Sequence, residues 1–586
     1  MRGDQYVAQF LKAINSNKVF LVQGGACAFM LDAVGETPGM SYVAFQHEQA
    51  AAMAADALWR TSGQLGVTFC TSGPGASNLL TGIACGYYDS IPSLHICGQV
   101  NGKEVAQYKG AKVRQAGFQQ MDIVSMAKPV CNYAVAVTKA SELPLALKTA
   151  VEQAFTGRMG PVLVDIPMDI QTEDIGTDEI LLPEIKVPSI ADDQTQIIAN
   201  SVNEFFQSGQ RPLVVLGAGV ELAGRQQEMV DWLQKTRTPF VASWSALNIF
   251  DHSMPNYLGH FGVYGNRGGN YVIQNADRIL VLGSRLDNRQ TSGNVDNFAP
   301  SAKLMALDID GEELIKYPDR FTGIQVNLTH LDKILPNVAA PEASSDWLEY
   351  TNRIREKYLN TDISQESEKY NSLNPYSVVR KITSLLDDDA HIFADAGANH
   401  VWLYQMWNRK GRQKLFTSSG HYAMGYSLPA AIGSLIGNPE VQAVSFNGDG
   451  GVQMNIQELQ TAREYGLDIK VVVFNNQGLG MIRQFQNSYM GGRHHATTQG
   501  QGPGVPDFEK LAAAYGMKYT KVVDLKQLDS DLFQQGSRLI ECVIDQRVLI
   551  EPKLEMGRPI NDQFPYVTDE EFLENNQFVE YTHRKK

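Results

Sequence analysis

The sequence predicts an α/β protein made of three consecutive domains, each an open parallel sheet covered by helices. Short apolar runs typical of buried strands recur along the chain, and each ends in a glycine-rich turn followed by a helix-like pattern. The chain has 586 residues, of which 43% are hydrophobic and 19% charged, so it can form several packed cores. The same composition excludes disordered, collagen-like and fibrous proteins.

The first and third blocks share one pattern. In the first block, predicted strands over 67–70 and 93–97 flank a glycine-rich turn and a helix. In the third block, strands over 443–446 and 469–474 flank a second glycine-rich turn and helix. We therefore expect two units of the same kind.

The middle block predicts a third open sheet. A strand over 212–216 runs into Gly217 and Gly219 and then a helix, and further strands follow over 279–282 and 304–307. The glycine pair is a weak signal alone, because it is not a full dinucleotide-binding fingerprint.

Polar, proline-containing stretches separate the blocks and set the predicted domain boundaries. We expect an N-terminal domain over 1–185, a central domain over 186–345 and a C-terminal domain over 346–545. The tail, 546–586, lacks strand patterning and ends in charged residues, which leaves a lid or a surface wrap as alternatives.

Charge and hydropathy exclude two classes of partner. The 50 Lys and Arg against 64 Asp and Glu give a net charge of −14, and no basic run rises above this background, so we expect no nucleic-acid binding. No apolar run is long enough to span a bilayer and no signal-like core begins the chain, so we expect a cytoplasmic protein without membrane contact. Six scattered cysteines lack a CxxC pair, and we expect neither a disulfide nor a zinc site.

The third block carries a candidate cation site. Asp449 follows one predicted strand within Gly448-Asp449-Gly450, and Asn476 follows the next strand. A carboxylate and an amide at neighbouring strand ends suit Mg²⁺, which takes one or two protein oxygens and fills its shell with phosphate and water. Each piece alone is more often an ordinary turn.

Taken together, the two motifs resemble the diphosphate and metal signature of the thiamin diphosphate enzymes, in particular the FAD-containing acetolactate synthase-like carboligases. The resemblance covers nearly the whole chain. It extends to residues 47–51, 71–75, 89–92, 98–100, 118–119, 160–162, 165–167, 424–425, 428–431 and 457–459.

The resemblance implies thiamin diphosphate and Mg²⁺ as cofactors and assigns residues to them. Glu48 would bond to N1′ of the cofactor's aminopyrimidine, the carbonyl of Tyr422 would face its 4′-nitrogen, and Met424 would hold the cofactor bent. On the diphosphate side, the expected binding residues are Gly448, Asp449, Gly450, Gly451, Asn476 and Gly478, with Asp449, Asn476 and the Gly478 carbonyl as the metal ligands. By the residues alone, Glu48 is more often an ordinary charge at a helix N-terminus, and Met424 ordinary core.

One departure from the family lies on the diphosphate side. Where acetolactate synthases usually have Gln and then His, this chain has Ala398 and Asn399, so the contacts there must differ, with Asn399 as the expected survivor.

The central domain resembles the FAD-binding version of the family. The expected flavin residues are Gly217, Gly219, Arg285, Asp287, Arg289 and Asp308. The alternative is a degenerate domain that has lost its nucleotide, against which the two retained arginines argue.

The resemblance also implies a reaction. Pyruvate would lose CO₂, and the two-carbon hydroxyethyl or acetyl unit would pass to a second carbonyl substrate. Phe118 and Gln119 would lie beside the reacting centre, and Gly25, Phe485 and Met168 in the substrate pocket.

The residues expected to contact the acceptor differ most from those of acetolactate synthase. Phe485 stands where acetolactate synthase usually has a tryptophan, and Met168 replaces a lysine, which weakens capture of a second carboxylate. The tail resembles that of carboligases that act on nucleotide-activated ketosugars for surface polysaccharides, so we expect such an acceptor. Acetolactate synthase and a flavin-dependent pyruvate oxidase are the alternatives.

Family architecture implies a homodimer or homotetramer. Each cofactor would lie between the first domain of one subunit and the third domain of another, so Glu48 and Asp449 would serve one site from different chains.

Overall fold

A computed structural model of the chain describes residues 1–105, 110, 112–186, 188–293, 295–316, 320–359, 370 and 372–579. It confirms the predicted fold class, with three six-stranded sheets in which neighbouring strands are parallel. The first sheet is formed by β1 (Lys18–Leu21), β2 (Ser41–Ala44), β3 (Gly66–Cys70), β4 (Ser93–Gln99), β5 (Tyr133–Ala136) and β6 (Val162–Pro167). The second is formed by β7 (Pro212–Leu216), β8 (Phe240–Ala242), β9 (Tyr257–His260), β10 (Arg278–Leu282), β11 (Lys303–Asp308) and β12 (Phe321–Gln325). The third is formed by β13 (His391–Ala394), β14 (Lys414–Phe416), β15 (Ala443–Gly448), β16 (Ile469–Asn475), β17 (Lys518–Val522) and β18 (Arg538–Val543).

Helices cover both faces of each sheet, as parallel strands require. In the first block they are Gly3–Ala13, Ala28–Glu36, Glu48–Ser62, Pro74–Asn78, Leu80–Asp89, Ile123–Ala127, Leu143–Phe155 and Met168–Thr172. In the second they are Asp192–Gln207, Gly219–Leu222, Gln226–Thr236, Arg267–Asn275, Asn288–Thr291, Gly311–Ile315, Leu331–Ile334 and Ser345–Tyr358. In the third and the tail they are Pro375–Leu385, Ala398–Met406, Ser427–Gly437, Glu458–Glu464, Gly480–Tyr489, Phe508–Ala514 and Asp569–Glu574.

Strand order shows that the first and third sheets are the same unit. The first runs β2-β1-β3-β4-β6-β5 and the third β14-β13-β15-β16-β18-β17, so each strand has a counterpart at the same place. The central sheet, β12-β11-β10-β7-β8-β9, has the dinucleotide-fold order instead. Ligands of such sheets bind where the strand order reverses, between β1 and β3, β7 and β10, and β13 and β15.

The first and third sheets pack together through two helices rich in small residues, Glu48–Ser62 and Ser427–Gly437. A Cβ on Gly433 would lie 2.2 Å from the Ala54 carbonyl oxygen, so only glycine allows this approach. The Tyr426 hydroxyl donates to the buried Asp56 carboxylate across the same contact. This packing fixes the two sheets relative to each other.

The tail differs from its predicted lack of strands. β19 (Lys553–Leu554) and β20 (Gln563–Phe564) pair antiparallel. Leu554, Ile560 and Phe572 are buried in the apolar cluster that packs against the central sheet. The described tail is therefore part of that core, and whether it also acts as a lid stays a prediction, as do the domain boundaries.

Candidate functional site

The turns at the switch point of the third sheet bring the predicted metal residues together. Asp449 follows β15 and is buried, and its Oδ2 accepts a hydrogen bond of 3.1 Å from the Gly478 N–H. Its Oδ1 is buried without a partner in the described part of the chain. Burial raises the pKa of Asp449 to about 6, although backbone N–H groups oppose the shift. Asn476 directly follows the neighbouring strand β16 and is also buried, so an unpartnered carboxylate oxygen and an amide lie at adjacent strand ends, which suits a hard cation.

Glycines line these turns because other backbone atoms pass close to them. Gly478 has a φ of +149°, and a Cβ there would lie 2.2 Å from the Thr497 carbonyl oxygen. A Cβ on Gly451 would lie 2.2 Å from Asp395 Oδ2. A Cβ on Gly450 would lie 2.7 Å from the Leu479 side chain, and a Cβ on Gly448 would lie 3.2 Å from Asn399 Oδ1. The turns therefore present backbone at short range, which suits phosphate.

Asn399 lies at this site with an orientation that bears on its predicted role. Its Nδ2 donates to the carbonyl oxygens of Asp395 at 2.9 Å and Phe446 at 3.3 Å. Its Oδ1 is buried without a partner in the described residues. The side chain thus offers an acceptor, whereas phosphate needs a donor. A direct contact with the diphosphate would need the amide to be flipped, and in the present orientation only a water or a cation could bridge the two.

Residues 418–426, here called the methionine segment, carry Tyr422 and Met424. Tyr422 has a φ of +59°, and its hydroxyl lies 3.4 Å from the Gly397 carbonyl oxygen. Asp395 Oδ1 accepts from the N–H groups of Gly425 at 2.7 Å and Tyr426 at 3.1 Å. Met424 Cε lies 3.8 Å from the Cβ position of Gly450. The structure therefore places Met424 over the Asp449 turn.

Glu48 follows β2, the first-sheet counterpart of β14, which precedes the methionine segment. It begins the helix Glu48–Ser62 and is buried, and Asn78 Nδ2 donates to its Oε2 at 3.0 Å. A Cβ on Gly75 would lie 3.0 Å from its Oε1, so the small residue leaves room for the carboxylate. Gly25, after β1, has open space where a side chain would stand.

Phe118 and Gln119 lie on a loop beside the same switch point. Gln119 has a φ of +62° and its carbonyl lies against Gly73. The loop borders a cavity of about 500 Å³, lined by Gly73, Pro74, Gln115, Phe118, Gln119, Gln120 and Met121. Phe118 is 85% exposed, so its ring projects away from its own domain.

The flavin residues predicted for the central domain gather at the switch point between β7 and β10. A Cβ on Gly217 would lie 2.1 Å from the Gly283 carbonyl oxygen, so the two turns touch through their backbones. Gly219 also packs on Gly283. Arg285 Nη2 lies 3.8 Å from Asp287 Oδ2, and the Asp287 carboxylate caps the helix Asn288–Thr291.

The other two flavin candidates face different ways. Asp308 Oδ1 accepts from the Asp310 N–H at 3.0 Å, and burial raises the pKa of Asp308. Arg289 does not point at Asp308 but stacks on Tyr422, with its guanidinium carbon 4.1 Å from the ring centroid. Arg289 thus connects the central domain to the methionine segment.

The two acceptor-pocket candidates lie on different domains. Phe485 is half-buried in the helix Gly480–Tyr489, with its ring 4.8 Å from that of Tyr489. Met168 begins the helix Met168–Thr172 at the end of β6 and is also half-buried.

Sequence reasoning assigned no role to two groups of charged residues at this site. Asp89 accepts from Arg60 Nη2 at 2.9 Å and from the N–H groups of Ser419 at 2.8 Å and Gly420 at 2.7 Å, so it fastens the methionine segment to the first domain. Glu458 accepts from the Gln46 N–H at 3.2 Å, two residues before Glu48, and burial raises its pKa to about 7. Both lie in motifs that matched the family, and charge within an apolar stretch was the signal available.

Two domains of one topology flank a dinucleotide-type domain and carry polar turns at their switch points, an arrangement typical of enzymes that bind a diphosphate cofactor. Residues 1–126 match the thiamine pyrophosphate enzyme N-terminal TPP binding domain, residues 199–329 the central domain and residues 395–542 the C-terminal TPP binding domain. The chain is 31% identical to the acetolactate synthase isozyme 2 large subunit of Escherichia coli over 95% of this chain and 98% of the relative. It is 31% identical to the acetolactate synthase large subunit of Lactococcus lactis, over 95% and 94% of the two chains.

A eukaryotic relative is similar over almost the same span. The mitochondrial acetolactate synthase catalytic subunit of Saccharomyces cerevisiae is 29% identical over 96% of this chain and 83% of its own. The chain belongs to the thiamin diphosphate enzyme family and is an acetolactate synthase-like enzyme that forms C–C bonds. Among the described residues, no helix has the length and apolar character needed to cross a bilayer.

Proposed function

We propose that this enzyme removes the carboxylate of pyruvate and joins the remaining two-carbon unit to the carbonyl group of a second substrate. The observation that carries the proposal is the buried, unpartnered Oδ1 of Asp449 beside Asn476 and Gly478, in a chain whose relatives are named acetolactate synthases. Thiamin diphosphate, when bound, supplies the carbanion chemistry for both halves of this reaction.

The residues present fit thiamin diphosphate with Mg²⁺. Asp449 Oδ1 would gain a partner from a bound cation, because it is buried without one in the described residues. The Asn476 amide oxygen and the Gly478 carbonyl would complete the protein ligands, and phosphate and water the rest. The glycine turn 448–451 would receive the diphosphate through its N–H groups.

Glu48 would hold or release a proton at N1′ of the aminopyrimidine. Asn78 fixes one carboxylate oxygen by a 3.0 Å hydrogen bond, and the other faces the space left by Gly75. Placed in this way, the carboxyl group is oriented for proton exchange without needing to rearrange. Met424 would support the cofactor from the opposite domain.

The central domain would bind FAD at the junction of Gly217, Gly219 and Gly283. The support is the close backbone approach of these turns, the half-buried Arg285 and the Asp308 carboxyl at the end of β11. The competing hypothesis, a domain without nucleotide, predicts a colourless protein. Flavin absorbance of the purified enzyme distinguishes the two.

For the acceptor, we infer a carbonyl compound other than pyruvate, with a nucleotide-activated ketosugar as the candidate. The support is Phe485 in place of a tryptophan and Met168 in place of a lysine, which together change the shape and charge of the pocket. A second candidate is acetolactate synthase, with pyruvate as acceptor, which the names of the relatives favour. A pyruvate oxidase would require FAD to accept electrons and is the third reading.

We also propose that the active site forms between subunits of a homodimer or homotetramer. Phe118 supports this proposal, because a large aromatic ring that is 85% exposed at the edge of the site would be covered by a partner.

One experiment tests the proposed reaction and its acceptor. Purified enzyme with thiamin diphosphate, Mg²⁺ and FAD is given pyruvate alone, then pyruvate with a nucleotide ketosugar, while CO₂ and products are followed by mass spectrometry. Slow CO₂ release that the ketosugar accelerates supports our acceptor, whereas acetolactate formed as fast as CO₂ makes the enzyme an acetolactate synthase. Absence of CO₂ under all conditions refutes the proposed reaction, and anaerobic bleaching of the flavin by pyruvate would favour the oxidase.

A further inference from the structure

Lys553, in β19 of the tail, is a largely buried lysine whose ammonium forms no ion pair among the described residues. The residue is 8% exposed, and its ammonium has no hydrogen bond or ion pair with any residue that the structure describes. The nearby acidic residue Glu555 interacts with other side chains: the Tyr566 hydroxyl donates to its Oε2, and Arg558 Nε lies 3.9 Å from the same oxygen. Lys470, by contrast, is 2% exposed and forms an ion pair with Asp468.

Aromatic side chains connect Lys553 to the proposed acceptor pocket. Its Nζ lies 5.9 Å from the ring centroid of Tyr489, whose ring lies 4.8 Å from that of Phe485. The Tyr489 hydroxyl accepts from the Met556 N–H at 2.8 Å. Gln484 exchanges two 2.9 Å hydrogen bonds with the backbone of Ile550, so the tail is fastened to the helix that carries Phe485.

The same part of the tail is connected to the methionine segment. Gln405 Nε2 donates both to the Pro552 carbonyl oxygen at 2.9 Å and to the Tyr264 carbonyl oxygen at 3.1 Å. From Tyr264, ring contacts run through Trp244 and His400 to Tyr422, at centroid distances of 6.2, 5.1 and 4.9 Å. Contacts therefore link the strand that carries Lys553 both to the helix of Phe485 and to the methionine segment.

Because Lys553 is only 8% exposed, its ammonium is less hydrated than that of a surface lysine. Burial lowers the pKa of Lys553, and only the Glu555 charge opposes the shift. A charged group with so little exposed surface is stabilised when an opposite charge pairs with it. A ligand anion would supply the missing partner.

We propose that Lys553 determines acceptor specificity by pairing with an anionic group, carboxylate or phosphoryl, on the second carbonyl substrate. This inference rests on the proposed carboligase function. Met168 leaves the end of β6 without the lysine that acetolactate synthases have there. Lys553 would supply a cation to the acceptor pocket from the tail instead.

The test compares Lys553→Met with wild type and with Lys357→Met, a control for a half-exposed lysine that pairs with Glu571 near the tail. Holoenzyme is assayed with pyruvate as donor and either 2-oxobutanoate or the neutral ketone cyclohexanone as acceptor. Binding of 2-oxobutanoate and of uridine diphosphate is measured separately by calorimetry, so that carboxylate and phosphoryl recognition are distinguished. Thermal unfolding checks that each variant is folded.

Loss of one buried charge-assisted contact predicts that Lys553→Met weakens binding of the recognised anion by about 10- to 100-fold, with cyclohexanone kinetics and thermal midpoint unchanged. Unaltered binding of both anions, or a wild-type enzyme that binds neither, would overturn the inference. Equal losses with the neutral and anionic acceptors would also overturn it, because they indicate a structural role. Failure of the wild type to release CO₂ refutes the proposed function instead, while the calorimetry still decides the role of Lys553.

Discussion

Replacing Asp395 by alanine should disrupt the thiamin site without removing any predicted cofactor contact. Asp395 Oδ1 accepts from three N–H groups, those of Ala396 at 2.9 Å, Gly425 at 2.7 Å and Tyr426 at 3.1 Å. Two of these donors belong to the turn that follows Met424. In the alanine variant they are left buried without acceptors, at a cost of about 1–3 kcal/mol each.

The magnitude follows from those two hydrogen bonds. We expect the cofactor to bind only when the turn is in its native conformation. A loss of about 2 kcal/mol in the stability of that conformation lowers the apparent affinity for thiamin diphosphate by roughly 30-fold, and a larger loss lowers it further. Asp395→Asn is the matched control, because its amide oxygen can still accept all three hydrogen bonds. We expect it to lose much less affinity than the alanine variant.

Calorimetric titration of each apoenzyme with thiamin diphosphate in excess Mg²⁺ measures the effect, and circular dichroism verifies the fold. The reasoning fails if Asp395→Ala binds the cofactor as wild type does. It also fails if the alanine and asparagine variants are equally impaired, because the hydrogen bonds to Oδ1 would then not be the cause.

Three further outcomes are expected. Burial raises the pKa of Asp395 to about 7, so from about pH 4 to about pH 7 the folded protein keeps a proton that the unfolded chain has lost. The urea unfolding midpoint of the wild type should therefore fall as pH rises through that window, and the midpoint of Asp395→Asn should not show this fall. An equal fall in both proteins would contradict the raised pKa of Asp395. Gly451→Ala, whose Cβ would lie 2.2 Å from a carboxylate oxygen, should abolish cofactor binding, whereas Gly504→Ala, which points into open space, should not, as titration would show. Equal amounts of inactive Glu48→Gln and Asp449→Asn subunits, mixed and reassembled, should regain about a quarter of wild-type activity if each site uses two chains, and none if each site is built from one chain.

The sequence predicted the fold well because buried parallel strands and their glycine turns are local signals. Every strand singled out, from 67–70 to 469–474, is present within one or two residues of its predicted ends. The predicted likeness of the first and third blocks is confirmed, because their sheets have the same strand order. β19 and β20 were not predicted, because two-residue strands have no periodicity and form only by tertiary contact with the central domain.

The site was predictable where a motif places its own residues and not where distant residues meet. Asp449, Asn476 and Gly478 are close in the third sheet because adjacent strands end at one edge, which topology alone requires. The flavin role expected for Arg289 stays a prediction. Its guanidinium stacks on Tyr422 in another domain, and the two positions are too far apart in the chain for any local pattern to show this contact.

These long-range contacts indicate what fixes Met424. Asp89 of the first domain holds one end of the methionine segment, and Asp395 of the third holds the other. Between them, Arg289 of the central domain lies over Tyr422. Since all three domains contact one short segment, a change in any of them that moves its contact also moves Met424. A ligand that engages Arg289 in the central domain would therefore be coupled to thiamin diphosphate binding, and by linkage each would alter the affinity of the other by the same factor.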